Sequence, residues 1–156
     1  MNTTGSGTTT FSGAVGTTFD LSSVTTNADG VTAINGGTVT TSGAQTYNDA
    51  VTLNADTTLA GSAVTLASTV NAFDATDRSL TVDTSGGGTT TFGGAVGTTF
   101  DLSTLTTNAD GTTAIDPAGR AIVRDDAAAG DAGDAPGLEP AAPVPGIDVL
   151  FDLLPV

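Results

Sequence analysis

One stretch of the sequence occurs twice. Residues 2–34 recur as residues 83–115, and 26 of the 33 paired positions are identical. The seven differences are exchanges that a β-strand tolerates, such as that of Val24 for Leu105. A repeat at a fixed long period is typical of chains in which each structural unit stacks on the next and covers the face that its neighbour leaves open. The repeat therefore predicts a solenoid.

The secondary structure predicted between the two copies, and within them, is β. Across residues 8–82, short runs of apolar and β-branched residues are broken every few residues by Gly, Asn or Asp, and helix-forming stretches are absent. Aromatic residues make up 4% of the chain, and Thr is the most frequent residue before position 117. Such a composition suits a narrow core filled by thin layers of small side chains. We therefore predict an all-β fold.

The predicted core consists of the larger apolar residues within these runs. It comprises Phe11, Val15, Phe19, Leu21, Val24, Ile34, Val39, Val51, Leu53, Leu59, Val64, Leu66, Val70, Phe73, Leu80, Val82, Phe92, Val96, Phe100, Leu102, Leu105 and Ile115.

A shorter interval is present inside the repeat. The tripeptide Asn-Ala-Asp begins at Asn27, Asn54 and Asn108, all multiples of 27, which predicts three coils per repeat with these tripeptides in the turns at the corners. The shorter spacing of Val39, Leu59 and Leu80, near 20, supports the alternative of four coils. We prefer 27 because it reproduces residue identities and not only hydrophobicity.

The composition changes sharply after the second copy. Residues 117–156 contain no Thr, Ser, Asn or Gln and are rich in Ala, Asp, Pro and Gly. We predict two parts, a solenoid over 1–116 and a disordered acidic Ala/Pro-rich tail over 117–156, with disorder from about 125 to 145. The apolar segment 146–156 is expected to dock on the end of the solenoid. A gene-model error that appended an unrelated tail is the alternative.

The charge restricts the classes of partner. The chain has 17 acidic and 3 basic residues, a net charge of −14, and no Cys or His. This balance argues against nucleic acids and anionic membranes, which both require a basic patch. No segment has the roughly 20 apolar residues of a membrane-spanning helix, so we expect no membrane insertion. No residue is assigned a catalytic, cofactor-binding or metal-binding role, and no cofactor is expected.

Two groups of polar residues are the candidates for sites. The Asn and Asp pairs of the corner turns offer oxygen ligands for calcium, but turn chemistry explains them better, since the pattern of calcium-binding β-rolls is absent. Asp74 and Asp77 beside Arg78 form the only acidic and basic cluster within the repeats. A carboxylate pair in a loop is far more often solvated than catalytic. We therefore expect a protein that is not an enzyme.

The two copies and the segment between them resemble a known family. TTTFGGAVGTTFDLSTLTTNADGTTAI, together with GGTVTTSGAQTYNDAVTLNADTTLAGSAVT, resembles the long β-strand repeats of filamentous-haemagglutinin-like and autotransporter-type surface exoproteins of Gram-negative bacteria. The resemblance covers residues 2–115. It implies a right-handed parallel β-helix that lies outside the cell or on its surface and forms the stalk of an adhesin. Because such repeats are mostly structural, no functional residue is transferred from the family.

The sequence begins inside a repeat copy and has no signal-peptide pattern, so we expect it to be part of a longer exported chain. Expected partners are host or cell-surface glycans or proteins, bound through the full-length adhesin. A solenoid end without a cap also predicts end-to-end self-association.

Two other functions remain as alternatives. One is ice binding by stacked Thr-x-Thr arrays, because Thr8 with Thr10, Thr38 with Thr40, and Thr89 with Thr91 have that local pattern. The other is a β-helix that binds or cleaves glycans.

Overall fold

The computed structural model describes residues 6–108 and 111–115, and every regular element in them is a β-strand. Alternation of β-branched and apolar residues with small polar ones, interrupted by Gly and Asn, produces short strands. The strands are β1 (Gly7–Phe11), β2 (Val24–Thr25), β3 (Gly30–Ile34), β4 (Thr38–Thr40), β5 (Ala44–Tyr47), β6 (Ala50–Leu53), β7 (Thr57–Gly61), β8 (Ala63–Leu66), β9 (Val70–Ala72), β10 (Ser79–Thr84), β11 (Thr89–Phe92), β12 (Thr104–Thr107) and β13 (Thr112–Ile115).

These strands form three parallel sheets. Sheet 1 has the order β1-β3-β6-β9, sheet 2 has the order β4-β7-β10-β12, and sheet 3 has the order β2-β5-β8-β11-β13. All pairings between these strands are parallel. The chain passes from sheet 1 to sheet 2 to sheet 3 and then returns to sheet 1 one layer higher. The protein is therefore a parallel β-solenoid, as predicted, and it has three sides.

The described residues form about five coils. In the first coil, sheet 2 is represented by Val15, which bridges to Val39 of the next coil, and in the last coil sheet 1 is represented by Val96, which bridges to Val70. Neighbouring parallel strands lie about 4.8 Å apart, so five coils rise about 20 Å.

The coil length varies, and the predicted coil of constant length 27 is wrong. The pairing of Thr8 with Val31 advances the residue number by 23, that of Val31 with Ala50 by 19, and that of Val64 with Thr90 by 26. The corners absorb the difference, because the short segment 54–56 connects β6 to β7 whereas the longer segment 73–78 connects β9 to β10. A parallel ladder requires matched strands but sets no fixed length for the turns between them.

The two copies of the repeat occupy different sides of the solenoid. β1 lies in sheet 1 of the first coil, whereas β11, which has the same Thr-Thr-Thr-Phe sequence, lies in sheet 3 of the fourth coil. From one copy to the next, the chain therefore makes three full turns of the solenoid and then advances by two further sides, from sheet 1 to sheet 3. Neither three nor four coils per repeat is correct. Of the residues on which the shorter spacing rested, Val39 and Leu59 are paired in neighbouring coils, whereas Leu80 pairs with Thr57 and not with Leu59.

The core is a narrow column of inward-facing side chains, and most of it was predicted. The predicted core residues are buried, apart from Val15 and Leu105, which are partly buried against them, and five residues for which the prediction was wrong. Those five are exposed: Phe19, Leu21, Phe73, Phe100 and Ile115. They lie in corner loops or in the first or last coil of the described residues. The prediction also missed the buried Ala33, Tyr47 and Ala72.

The first two Asn-Ala-Asp tripeptides lie at corners, as predicted. Asn27–Asp29 connects sheet 3 to sheet 1, whereas Asn54–Asp56 connects sheet 1 to sheet 2. Asn108 follows β12, but residues 109 and 110 lie outside the described residues. Since these tripeptides occupy different corners, their regular interval does not reflect a coil. The predicted tail, residues 117–156 with its apolar segment 146–156, also lies outside the described residues.

Candidate functional site

The outer surface of sheet 3 carries a row of threonines. Thr25 pairs with Thr46, Thr46 with Thr65, and Thr65 with Thr91, so that one threonine follows another over four successive coils. Their chain neighbours, among them Val24 and Val64, are buried. Because side chains alternate across a strand, the four threonines face outward. We call this row the sheet 3 threonine ladder.

Sheet 2 carries a second row of the same kind. Thr38 pairs with Thr58, Thr58 with Thr81, and Thr81 with Thr106. The adjacent inward positions hold Val39, Leu59 and Val82, which are buried. We call this row the sheet 2 threonine ladder.

The three Thr-x-Thr pairs that suggested ice binding do not form a common array. Thr8 and Thr10 lie in sheet 1, Thr38 and Thr40 in sheet 2, and Thr89 and Thr91 in sheet 3.

The two ladders were not predicted from the sequence, because the coils differ in length. Along the sheet 3 threonine ladder the residue number rises by 21, then by 19, then by 26. Along the sheet 2 threonine ladder it rises by 20, then by 23, then by 25. No fixed period in the sequence reveals such rows.

A buried carboxylate joins two coils on the inside. Asp49 is 2% exposed and lies at the corner between β5 and β6. The Thr26 hydroxyl donates to Asp49 Oδ1 over 2.7 Å, and the Thr32 hydroxyl donates to Asp49 Oδ1 over 2.8 Å and to Oδ2 over 3.0 Å. Buried polar groups are stable only when they are hydrogen-bonded, and these bonds meet that condition for Asp49. The cluster connects two successive corners of the solenoid, so its role is structural.

A second internal polar group lies on the inner side of β5. The Tyr47 hydroxyl donates to Gln45 Oε1 over 2.8 Å, and Gln45 Nε2 donates to the Val39 and Ala60 carbonyl oxygens. Burial raises the pKa of the Tyr47 hydroxyl, so it stays protonated and remains a donor. The group therefore ties sheet 3 to the backbone of sheet 2.

The acidic and basic cluster noted in the sequence lies in the corner loop between β9 and β10. Arg78 Nη2 is 3.7 Å from Asp74 Oδ1, and Asp77 is exposed. The Thr76 backbone N–H donates to Asp74, which lowers the pKa of that carboxyl, with a smaller contribution from Arg78. Asp74 is therefore ionised near neutral pH and already has partners within its own loop. The structure brings Asp74 and Arg78 together but does not include Asp77 in the pair.

Two further findings concern the described part of the chain. It contains no group of three or more His, Cys, Asp or Glu side chains that could hold a metal ion. It also contains no helix long and apolar enough to cross a membrane.

The fold thus defines the class of the molecule, a parallel β-solenoid with three sides, polar outer faces and a mixed apolar and hydrogen-bonded core. Comparisons with protein-family models, with curated proteins and with solved structures find no match.

Proposed function

We propose that this chain is a structural, non-catalytic segment of a large bacterial adhesin. It forms part of the stalk, and it lies outside the cell or on its surface within a longer exported chain. The binding of host or cell-surface glycans or proteins belongs to the full-length adhesin.

One observation above all supports this proposal: sheet 3 runs without interruption from β2 to β13, through every coil of the described part. Parallel hydrogen bonding along such a sheet resists bending and extension, as a stalk requires. The resemblance of residues 2–115 to adhesin repeats supports the same proposal.

Labelling of intact cells that produce the protein tests its location. An antibody against the exposed segment 17–23 is applied before and after permeabilisation. We expect labelling of intact cells, and its loss after brief external proteolysis. Labelling only after permeabilisation contradicts the proposal.

Adhesion measurements test the role of the segment. Deletion of the coils from β3 to β8 shortens the stalk, and we expect weaker attachment to host cells at an unchanged surface level of the adhesin. A matched control replaces Thr46 and Thr65 by Ser, which keeps the coils and their hydroxyls. If the control lowers attachment as much as the deletion, the threonine face itself is the binding site and the stalk role is wrong.

The threonine ladders favour ice binding as a second candidate. Four threonines at a spacing of about 4.8 Å present a regular row of hydroxyl and methyl groups to water. Thermal hysteresis of the purified protein tests this. We then expect Thr46→Leu with Thr65→Leu to abolish the effect, and the matched pair Thr58→Leu with Thr81→Leu on sheet 2 to show whether that ladder contributes. Absence of hysteresis in the unmodified protein eliminates this candidate.

A further inference from the structure

The sequence contains one asparagine that is followed by glycine, and this pair lies in a corner between sheets 1 and 2. Asn35 and Gly36 belong to the segment 35–37, which connects β3 to β4 in the second coil, so that described coils lie on both sides of it. Glycine has no Cβ to obstruct attack of its backbone nitrogen on the preceding side chain, which makes this pair prone to lose the asparagine amide. The Asn35 side chain is exposed, so water reaches it.

The stacking of the coils accounts for both residues of the pair. A Cβ on Gly36 would lie 2.0 Å from the backbone carbonyl carbon of Gly13, at the same corner of the preceding coil, so only glycine fits there. In the next coil the Asn54 side-chain amide donates to Asn35 Oδ1, which ties two successive corners together. The reactive pair therefore follows from two structural requirements of the corner.

The contact from Asn54 also bears on the loss of the amide. When the Gly36 nitrogen attacks the Asn35 side-chain carbon, negative charge develops on Asn35 Oδ1, the atom to which Asn54 Nδ2 donates. A hydrogen-bond donor that is already aimed at such an oxygen stabilises the transition state, and its removal typically slows a reaction by about 10²–10³-fold.

One contact acts in the opposite direction. The Phe11 carbonyl oxygen accepts from the Asn35 N–H over 2.9 Å and from the Gly36 N–H over 3.1 Å, and the second bond opposes loss of the Gly36 proton. The net contribution of such a neutral hydrogen bond corresponds to a factor of about ten or less. The donor from Asn54 therefore outweighs it.

We propose that Asn35 is a site of spontaneous deamidation, which the fold promotes through Asn54. The Gly36 nitrogen forms a bond to Asn35 Cγ and loses its proton, the bond from Cγ to Nδ2 breaks, and ammonia leaves. Water then opens the resulting succinimide ring at either carbonyl, which gives aspartate or its β-linked isomer at position 35. The net reaction consumes one water, releases one ammonia and needs no other reactant.

The modification changes the corner in two ways. It adds one negative charge to a chain whose net charge is −14. The β-linked isomer also lengthens the backbone by one carbon atom at a corner where Gly36 already contacts Gly13. We therefore expect the midpoint of urea unfolding to fall as the protein ages. The inference is independent of the proposed role in adhesion, since it concerns only the chemistry of this corner.

Peptide mass mapping of the full chain after incubation in mildly alkaline buffer tests the proposal. The same incubation in concentrated urea, where the chain is unfolded, gives the reference rate. We expect the amide at Asn35 to be lost at least about tenfold faster from the folded protein than from the unfolded chain. Equal or slower loss from the folded protein would show that the fold does not promote the reaction and overturns the proposal. Faster loss at Asn54, which precedes alanine, than at Asn35 also overturns it.

A pair of variants then tests the role of Asn54. Asn54→Asp keeps the size of the side chain but replaces the donor by an acceptor, so we expect the loss at Asn35 to slow at least about tenfold in the folded protein and to stay unchanged in urea. The matched control is Asn71→Asp, two coils away in β9, where Oδ1 accepts from the Thr99 N–H and aspartate can do the same. Circular dichroism verifies that both variants fold.

The control should lose the Asn35 amide at the rate of the unmodified protein. If Asn54→Asp also reacts at that rate, the hydrogen bond from Asn54 does not promote the reaction and the proposal is wrong. If Asn71→Asp slows the reaction as much as Asn54→Asp, the effect comes from the added charge and not from the lost donor, and the proposal is equally wrong.

Discussion

The two copies of the repeat place nearly the same sequence in two different environments. Within each copy the local pairing is the same, since Thr8 pairs with Val31 in the first and the equivalent Thr89 pairs with the equivalent Thr112 in the second. The burial is not the same, because the described part has no coil before the first copy and none after the second. Strand pairing is thus a local property of the sequence, whereas the burial of a given side chain depends on its position along the solenoid.

The largest expected effect is at the isoleucine that ends each copy. Ile34→Ala removes a fully buried side chain and should lower the free energy of unfolding by about 2–5 kcal/mol. Ile115→Ala removes the same atoms from a partly exposed position and should cost about 1 kcal/mol. Urea unfolding at a concentration where the protein is monomeric measures both. Equal losses would contradict the comparison.

The leucines in the middle of the two copies should show the opposite order. Leu102→Ala creates a cavity between coils and should cost about 2–4 kcal/mol, within the range for buried leucines. Leu21→Ala should cost less than about 1 kcal/mol, because Leu21 is already half in water. Thermal unfolding followed by circular dichroism gives both values. A larger loss at Leu21 than at Leu102 would contradict the comparison.

A smaller effect is expected from the buried carboxylate of Asp49, which accepts from two threonines of the first copy. Asp49→Ala leaves the Thr26 and Thr32 hydroxyls without their acceptor and should cost about 1–3 kcal/mol. The control is Thr113→Val, at the equivalent of Thr32 in the second copy, where the hydroxyl donates to the Thr107 hydroxyl; it should change the stability by about 0.5 kcal/mol or less. If Asp49→Ala is as mild as the control, the cluster does not hold the coils together.

The smallest effect is a pH dependence at the second Asn-Ala-Asp corner. The Ser79 backbone N–H donates to Asp56 Oδ1 of the preceding coil, and this bond lowers the pKa of that carboxyl below its ordinary value. A carboxyl with a lowered pKa in the folded protein stabilises the fold above its unfolded pKa, and this contribution is lost as the pH falls through the folded pKa.

Below about pH 4, the free energy of unfolding of Asp56→Asn should therefore fall less steeply with decreasing pH than that of the unmodified protein. Near neutral pH the two dependences on pH should be nearly parallel. Denaturant unfolding over that pH range measures the slope. An unchanged acid slope in Asp56→Asn would show that the bond to Ser79 contributes nothing measurable.

Much of the fold follows from the residues alone. Val39, Leu59 and Leu80 are inward because they alternate with small polar residues, and the strands around them were predicted on that basis. The prediction failed where position along the solenoid mattered, as at Leu21 and Ile115.

The polar features were harder to predict. Asp49, Thr26 and Thr32 are separated along the chain by turns of unequal length, and only the stacking of coils brings them together. The threonine ladders were hidden for the same reason, since their steps along the chain are unequal, as from Thr46 to Thr65 and from Thr65 to Thr91.

The sequence by itself determined that the chain forms parallel β-coils, which side of each strand faces inward, and that the strand pairing inside the two copies is the same. Only the tertiary structure decided that one repeat period makes three coils and two further sides, so that the same sequence faces in different directions in its two copies. The physical reason is that hydrogen bonding between parallel strands selects matched strand segments, whereas the corners that connect them accept different numbers of residues. Small differences in those corners accumulate along the chain and set the side, the neighbours and the burial of every later residue.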